Sequence, residues 1–326
     1  MRLVVTGGAG FIGSHYVRSL LLTDRGQGIS SVTVLDALTY AGNQANLAAV
    51  VDDPRYAFVH GDLFDGVLAR SLFAQADAVV HFAAESHVDR SIAGSAEFIR
   101  TNVVGTHTLL EAARTTALGR FVHVSTDEVY GSIQSGSWPE TDPLLPNSPY
   151  AASKASSDLL VRSYFRTHQL DTVTTRCSNN YGPFQFPEKL IPLFVTNLMQ
   201  GKQVPLYGDG SNVRDWLHVD DHCNGIHLAL TKGRAGEIYN IGGGTELSNV
   251  EMTRLILDAF GAEWDTSVRH VEDRKGHDAR YSVDITKATA ELGYRPQVAF
   301  AQGLQDTIDW YRANEAWWRP LLRRSA

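Results

Sequence analysis

The sequence predicts an α/β protein: a doubly wound parallel sheet with helices on both faces, and a smaller, interleaved C-terminal domain. Three observations lead there. Short apolar runs alternate with helically spaced segments through the first half of the chain, a glycine-rich turn joins the first strand to the first helix, and beyond Arg176 the chain turns to Asn-, Pro- and Gly-rich loops. Arg2 to Thr6 reads as a buried strand, Phe11 to Leu22 as a helix and Ser31 to Leu35 as a second strand, a βαβ unit whose crossover makes the pairing parallel. Tyr56 to His60, Ala78 to Phe82, Phe121 to Ser125 and Thr172 to Arg176 continue the alternation. The longest helical candidates, Ala96 to Thr116 and Tyr150 to His168, combine apolar positions with a polar face, and one or both are candidates for a homodimer interface. Ile191 to Met199 and Val250 to Phe260 read as helices, the second opened by the capping box Ser248-Asn249-Val250-Glu251. Trp216 to Leu230 and the strand Glu237 to Ile241 are placed to return to the main sheet. The expected division is therefore 1–176 with part of 215–241, against 177–326.

The chain has 326 residues and 43% hydrophobic content, enough for one large domain or two. Its net charge of -7 and the lack of any Lys/Arg block argue against nucleic acid and anionic membranes as partners, and an anionic ligand would need locally placed cations. Cys177 and Cys223 are too few for a disulfide framework or a zinc knuckle, which suits a reducing cytoplasm. Met1-Arg2 runs straight into the first strand and no 18-residue apolar span follows, so neither export nor membrane anchoring is expected. His218 and His222 stand at i and i+4 like a metal site but have no third ligand at a recognisable spacing; they are read as structural, and no metal is expected. Trp310, Trp317 and Trp318 are read as packing for the last helix.

Gly7, Gly10 and Gly13 follow a strand and open a helix, the context in which a glycine fingerprint signifies a Rossmann-type dinucleotide site. The glycines allow a tight turn and close approach of backbone to pyrophosphate, whose charge meets the helix N-terminus. Asp36 ends the second strand, where its carboxylate accepts from an adenosine ribose and repels a 2′-phosphate, favouring NAD over NADP. Asp62 and Leu63, after the third strand, are placed to meet the adenine.

Two further groupings suggest a reaction. Tyr150 and Lys154, at i and i+4, share a helix face, so the ammonium is expected to favour the ionised phenol as a base for a sugar hydroxyl. Bringing a phenol from pKa 10 to near 7 takes roughly 4 kcal/mol. Thr126-Asp127-Glu128, directly after an apolar run, offers two carboxyl groups, more than simple oxidation needs. Lys189, Arg214 and His277 are the best candidates to neutralise a pyrophosphate in a chain of negative net charge. Arg214 could instead pair with the adjacent Asp215, a surface ion pair worth little. The loop Ser132 to Ser148, rich in Ser, Gly and Pro, reads equally as a cover for the bound sugar and as a plain surface loop.

Gly7-x-x-Gly10-x-x-Gly13 with Tyr150-x-x-x-Lys154 resembles the extended short-chain dehydrogenase/reductase family over essentially the whole chain. Four longer segments, beginning at Asp36, Ala83, Thr126 and Pro187, are similar to those of its members that remove water from dTDP-linked hexoses. The resemblance implies NAD as cofactor and dTDP-glucose as substrate. It adds Phe11, Ile12, Leu38, Thr39, Phe82, Ala83, Ala84, Ser86, Thr101 and Asn180 on the cofactor side. On the substrate side it adds Ser86, Asn179, Leu190, Asn249 and Tyr281, with Pro205, Leu206 and Tyr207 around the base. Phe184 departs from the family pattern, where a tyrosine is expected. In the implied reaction Tyr150 takes the C4 hydroxyl proton, with Thr126 bonded to the same oxygen and Lys154 holding the nicotinamide ribose. Glu128 then removes the C5 proton and Asp127 donates to the departing C6 hydroxyl. An epimerase needs no such acid pair, which makes that position diagnostic.

Overall fold

The computed structural model describes residues 1–116 and 118–322. In chain order its strands are β1 (Arg2–Thr6), β2 (Ser31–Asp36), β3 (Tyr56–His60), β4 (Ala78–His81), β5 (Arg120–Thr126), β6 (Thr172–Cys177), β7 (Asn179–Tyr181), β8 (Val204–Tyr207), β9 (Val213–His218), β10 (Ile238–Ile241), β11 (Glu246–Ser248) and β12 (Val268–Val271). Seven of them form one parallel sheet in the order β10-β6-β5-β4-β1-β2-β3. The order reverses between β1 and β4, which opens a crevice at the carboxyl ends of the strands.

Side-chain alternation explains how the sheet is covered. Leu3 and Val5 point into one buried layer with Val17 and Leu20 of the helix Phe11–Leu22 and Ile226 of the helix Val219–Lys232. Val4 points the other way, with Val79 and Phe121, into a layer closed by the helices Gly66–Phe73, Thr106–Thr115 and Pro149–His168. A separate core around Tyr181, Phe194, Met252, Ile308 and Trp318 supports the C-terminal part.

Two expectations need revision. The span expected as one helix over Ala96 to Thr116 is α-helical at Ala96–Phe98, π-helical at Ile99–Gly105 and α-helical again at Thr106–Thr115. The wide turn lets Asn102 clip both backbone groups of Glu85 at 2.9 Å and donate to Ser153 Oγ at 2.8 Å. The run from Trp216 divides: β9 joins a small sheet with β7 and β11, while only the helix that follows it packs on the main sheet. Ser132 to Ser148, open to either reading from sequence, is fastened to the body of the protein. Trp138 is buried, stacks on Tyr130 and bridges to Val283, and Asn147 donates to Asp278. Ile238–Ile241 does reach the main sheet, as the edge strand beside β6.

Beneath the sheet ends lies a buried ionic network. Arg176 Nε donates to Asp158 at 2.9 Å and its other arm to the Tyr130 hydroxyl at 2.8 Å, which in turn donates to Asn240. It ties β6, β10 and the helix Pro149–His168 together.

Candidate active site

The glycine turn is as tight as its sequence requires. Gly7 has φ +69°, and a Cβ there would lie 2.6 Å from the Ala83 backbone; one on Gly13 would lie 2.3 Å from the Gly7 carbonyl oxygen. Asp36 braces the turn by accepting from the Ala9 and Leu38 amides, both at 2.8 Å, and keeps further acceptor capacity toward the crevice. The crevice is a cleft of about 540 Å³. Gly7, Gly10, Phe11, Ile12, Gly13, Asp36, Thr39, Asp62 and Leu63 line one end, and Phe82, Ala83, Ala84, Ser86, Thr101 and Asn180 its middle. Leu38 is not on its wall: at φ +53° it packs against the first core. This cradle, with its backbone-only turn and acid at the strand end, fits a dinucleotide such as NAD.

Thr126, Asp127, Glu128, Tyr150 and Lys154 converge on the same cleft. β5 delivers Thr126, whose hydroxyl caps the short 3₁₀ turn Asp127–Tyr130 by accepting from the Glu128 amide at 3.3 Å. Ser148 caps the opposite helix through the Ala151 amide and Pro149 occupies its first turn, so Tyr150 projects at the very start and Lys154 one turn later.

The electrostatics divide the acids from the base. Burial, then the neighbouring Glu128 and Asp215, raise the Asp127 carboxyl well above the usual range, against Arg214 and the Thr126 hydrogen bond. Its Oδ2 has no hydrogen-bond partner among the described residues. Burial also raises Glu128, opposed by Arg214, Lys189 and Arg274. In the protein alone, burial and then Glu128 push the Tyr150 phenol up, and the Thr126 hydrogen bond lowers it. Lys154 donates to the Val124 carbonyl oxygen at 2.9 Å, and burial brings its own pKa down to about 8.

A smaller pocket joins the first through Glu128 and Asn179, and it gathers Arg214, His277 and Tyr281. Arg214 does not pair with Asp215. It stacks over Tyr281 at 4.2 Å and donates to the Asp278 carbonyl oxygen, while Asp215 accepts from Ser178, Gly243 and Thr245. Lys189 lines the main cleft and donates to the Ser86 carbonyl oxygen at 2.8 Å. Leu190 begins the next helix, outside both walls. Pro205, Leu206 and Tyr207 form β8, with Leu206 buried in the second core and the Tyr207 hydroxyl on Asp89 at 3.2 Å. Asn249 is buried, its amide donating to the Asn212 carbonyl oxygen, and lines neither pocket. His218 caps a helix through the Asp220 amide and His222 bonds Asn180 at 2.9 Å, so the two rings serve different neighbours.

Arg274 was missed by the sequence reading. It lines the smaller pocket, paired to Asp89 at 3.0 Å and lying over the Tyr207 ring. Its signal was its place three residues before His277 in Asp273-Arg274-Lys275-Gly276-His277. Trp317 packs against the second core, as its sequence position suggests, and in addition lines the main cleft with Leu321 and Phe184.

A dinucleotide cradle opening on a tyrosine, a lysine and a carboxyl pair defines a nucleotide-sugar dehydratase of the short-chain dehydrogenase/reductase type. The chain belongs to the GDP-mannose 4,6 dehydratase family, which it matches over residues 4–307. More narrowly, it is 64% identical over 328 residues to a dTDP-glucose 4,6-dehydratase of Streptomyces antibioticus, covering 100% of this chain and 97% of that one. It is also 64% identical to DesIV, the dTDP-glucose 4,6-dehydratase of Streptomyces venezuelae solved with NAD bound, with a TM-score of 0.97 over 98% of this chain and 100% of that one. The Bacillus anthracis dTDP-glucose 4,6-dehydratase, in complex with NAD, superposes with a TM-score of 0.91 at 48% identity, covering 98% and 99% of the two chains.

Proposed function

We propose that the protein is an NAD-dependent dTDP-glucose 4,6-dehydratase, converting dTDP-glucose to dTDP-4-keto-6-deoxyglucose and water. The observation that carries this reading is the acid pair Asp127 and Glu128 facing the same cleft as Tyr150, with burial and Glu128 raising the Asp127 carboxyl well above the usual range. NAD, held by the glycine turn, Asp36 and Lys154, would supply the acceptor for the C4 hydride and, once reduced, the hydride that C6 takes in place of its lost hydroxyl. Tyr150 removes the proton of the C4 hydroxyl, and Thr126 hydrogen-bonds the same oxygen. Lys154, poised near pKa 8, would hold the nicotinamide ribose. With a ketone at C4 the C5 proton becomes acidic, and Glu128 takes it. Asp127 donates its proton to the C6 oxygen as water leaves, and Glu128 returns a proton to C5 at the end.

Residues 1–176 with β10 supply the cofactor side, and 177–326 mainly the nucleotide-sugar side. Lys189, Arg214 and Arg274 supply the positive charge that a diphosphate requires next to Glu128, and His277, whose pKa burial lowers, adds a ring nitrogen for hydrogen bonding. A homodimer is supported by the exposed Ile99 and Leu159 on the two long helical segments, 46% and 58% accessible. No helix among the described residues is long and apolar enough to cross a membrane, and both cysteines are free and buried, which supports a cytoplasmic location.

Incubation with dTDP-glucose should yield a product lighter by one water without lasting NADH absorbance, and UDP- and GDP-hexoses should react poorly. A C4 epimer of unchanged mass would defeat the reading.

A further inference from the structure

The last helix, Glu315–Leu322, carries two adjacent indoles with different neighbours. Successive helical positions diverge by about 100°, so the two rings point in different directions. Trp318 is fully buried in the second core and donates its Nε1–H to the Tyr311 carbonyl oxygen at 2.9 Å. Trp317 turns to the cleft wall and donates its Nε1–H to Asn46 Oδ1 at 2.9 Å. Asn46, 2% exposed, lies in the turn Gln44–Val50 after β2 and donates Nδ2–H to the Ala9 carbonyl oxygen of the glycine turn, also at 2.9 Å. Arg18 closes the arrangement: it donates to the Asn46 carbonyl oxygen at 2.5 Å and lies over the Phe184 ring at 4.2 Å. Phe184 packs on Trp310 and Trp317 at 4.5 and 5.5 Å, holding φ at +68°, a conformation bulky residues rarely adopt.

Trp317 packs its ring on the edge of the second core, against Trp310 and Tyr311, yet its N–H reaches outward from the C-terminal part of the chain to a residue that touches the glycine turn. We infer that Trp317 and Asn46 form a clasp across the mouth of the cofactor cleft that slows departure of the dinucleotide, with Trp318 as its anchor in the second core. The inference rests on the cofactor reading above. A reaction that returns its hydride has no need to exchange NAD between turnovers, so a closed mouth costs it nothing.

The test measures cofactor release as well as turnover. Wild type, Trp317→Ala, Trp317→Phe and Glu315→Ala are loaded with NAD and freed of excess, and the NAD escaping on dilution is trapped enzymatically. Trp317→Ala, which loses the hydrogen bond and the aromatic contacts, should release NAD roughly tenfold faster and need added NAD to sustain turnover. Trp317→Phe keeps a ring but no N–H, and should fall between, roughly threefold faster. Its conserved bulk keeps the measurement available even where the alanine variant unfolds. Glu315→Ala, which removes only a surface pair with Arg319, should match wild type. Wild-type release from both Trp317 variants, with NAD fully loaded, overturns the clasp. A wild-type protein that cannot be loaded overturns the cofactor reading and the clasp with it.

Discussion

Replacing Asp127 by asparagine tests the division of labour between the two acids, because it should separate activity from stability. Asp127 is 1% exposed, and burial together with Glu128 and Asp215 raises its carboxyl well above the usual range, favouring the neutral form. Asparagine has the same shape and is also neutral, so the substitution removes a transferable proton and little else. A positioned general acid contributes 10²–10⁴-fold, so elimination should slow by that factor, about 3–5 kcal/mol of barrier. Oxidation at C4 should persist, visible in single turnover as NADH absorbance that builds and decays slowly. Stability should move the other way. Because folded Asp127 holds its proton more tightly than the unfolded chain does, the stability it contributes is full below about pH 4 and is lost as pH rises through the raised folded value. Asparagine removes that loss, so the variant should gain on wild type by about 1.4 kcal/mol per pH unit across this window. Product mass spectrometry and thermal unfolding at acidic and neutral pH read both effects. Dehydration at the wild-type rate would assign the acid to another group, and a variant much less stable at neutral pH would show that Asp127 is ionised in the fold.

Tyr150→Phe should lower C4 oxidation by roughly 10²–10⁴, measured as single-turnover NADH formation; an unchanged rate would take the phenol out of the reaction. With Glu128→Gln, exchange of the C5 proton with solvent deuterium should fall more than C4 oxidation, and equal losses would undo that assignment. Arg176→Met leaves Asp158 buried without its 2.9 Å partner and should cost about 3–5 kcal/mol in urea unfolding. Adding Asp158→Leu should recover most of that, and a double variant as unstable as the single one would mean that packing rather than charge is at stake.

How far the sequence reaches depends on the range of the interaction. The glycine turn, Asp36 and the Ser248 capping box were legible because their partners are a few residues away or fixed by the βαβ unit. The seven strands of the main sheet showed themselves by apolar runs with ends good to a residue or so, whereas the short strands β7, β8, β9, β11 and β12 did not. The π-helical turn Ile99–Gly105 was not legible, since its cause is Asn102 reaching Glu85 and Ser153 across the fold. Arg214 illustrates the same point: its neighbour in sequence, Asp215, faces the other way on β9 and binds Ser178, leaving Arg214 to Tyr281. The Tyr150–Lys154 pair was read correctly as one helix face, but the sign of the field at the phenol depends on burial and Glu128, which no local spacing records.

The edge strand β10 has a consequence for how the chain is made. It completes the main sheet only after β7, β8 and β9 have been synthesised, so a nascent chain that has just emerged through β6 displays an unpaired, fully buried-type edge. The Asn240 amide that closes the Tyr130–Arg176–Asp158 network is also missing until then. The first half therefore cannot be excised or exchanged as a ready-made module. New sugar specificity on this scaffold is more accessible through changes in the loops around the smaller pocket than through swapping one half for another.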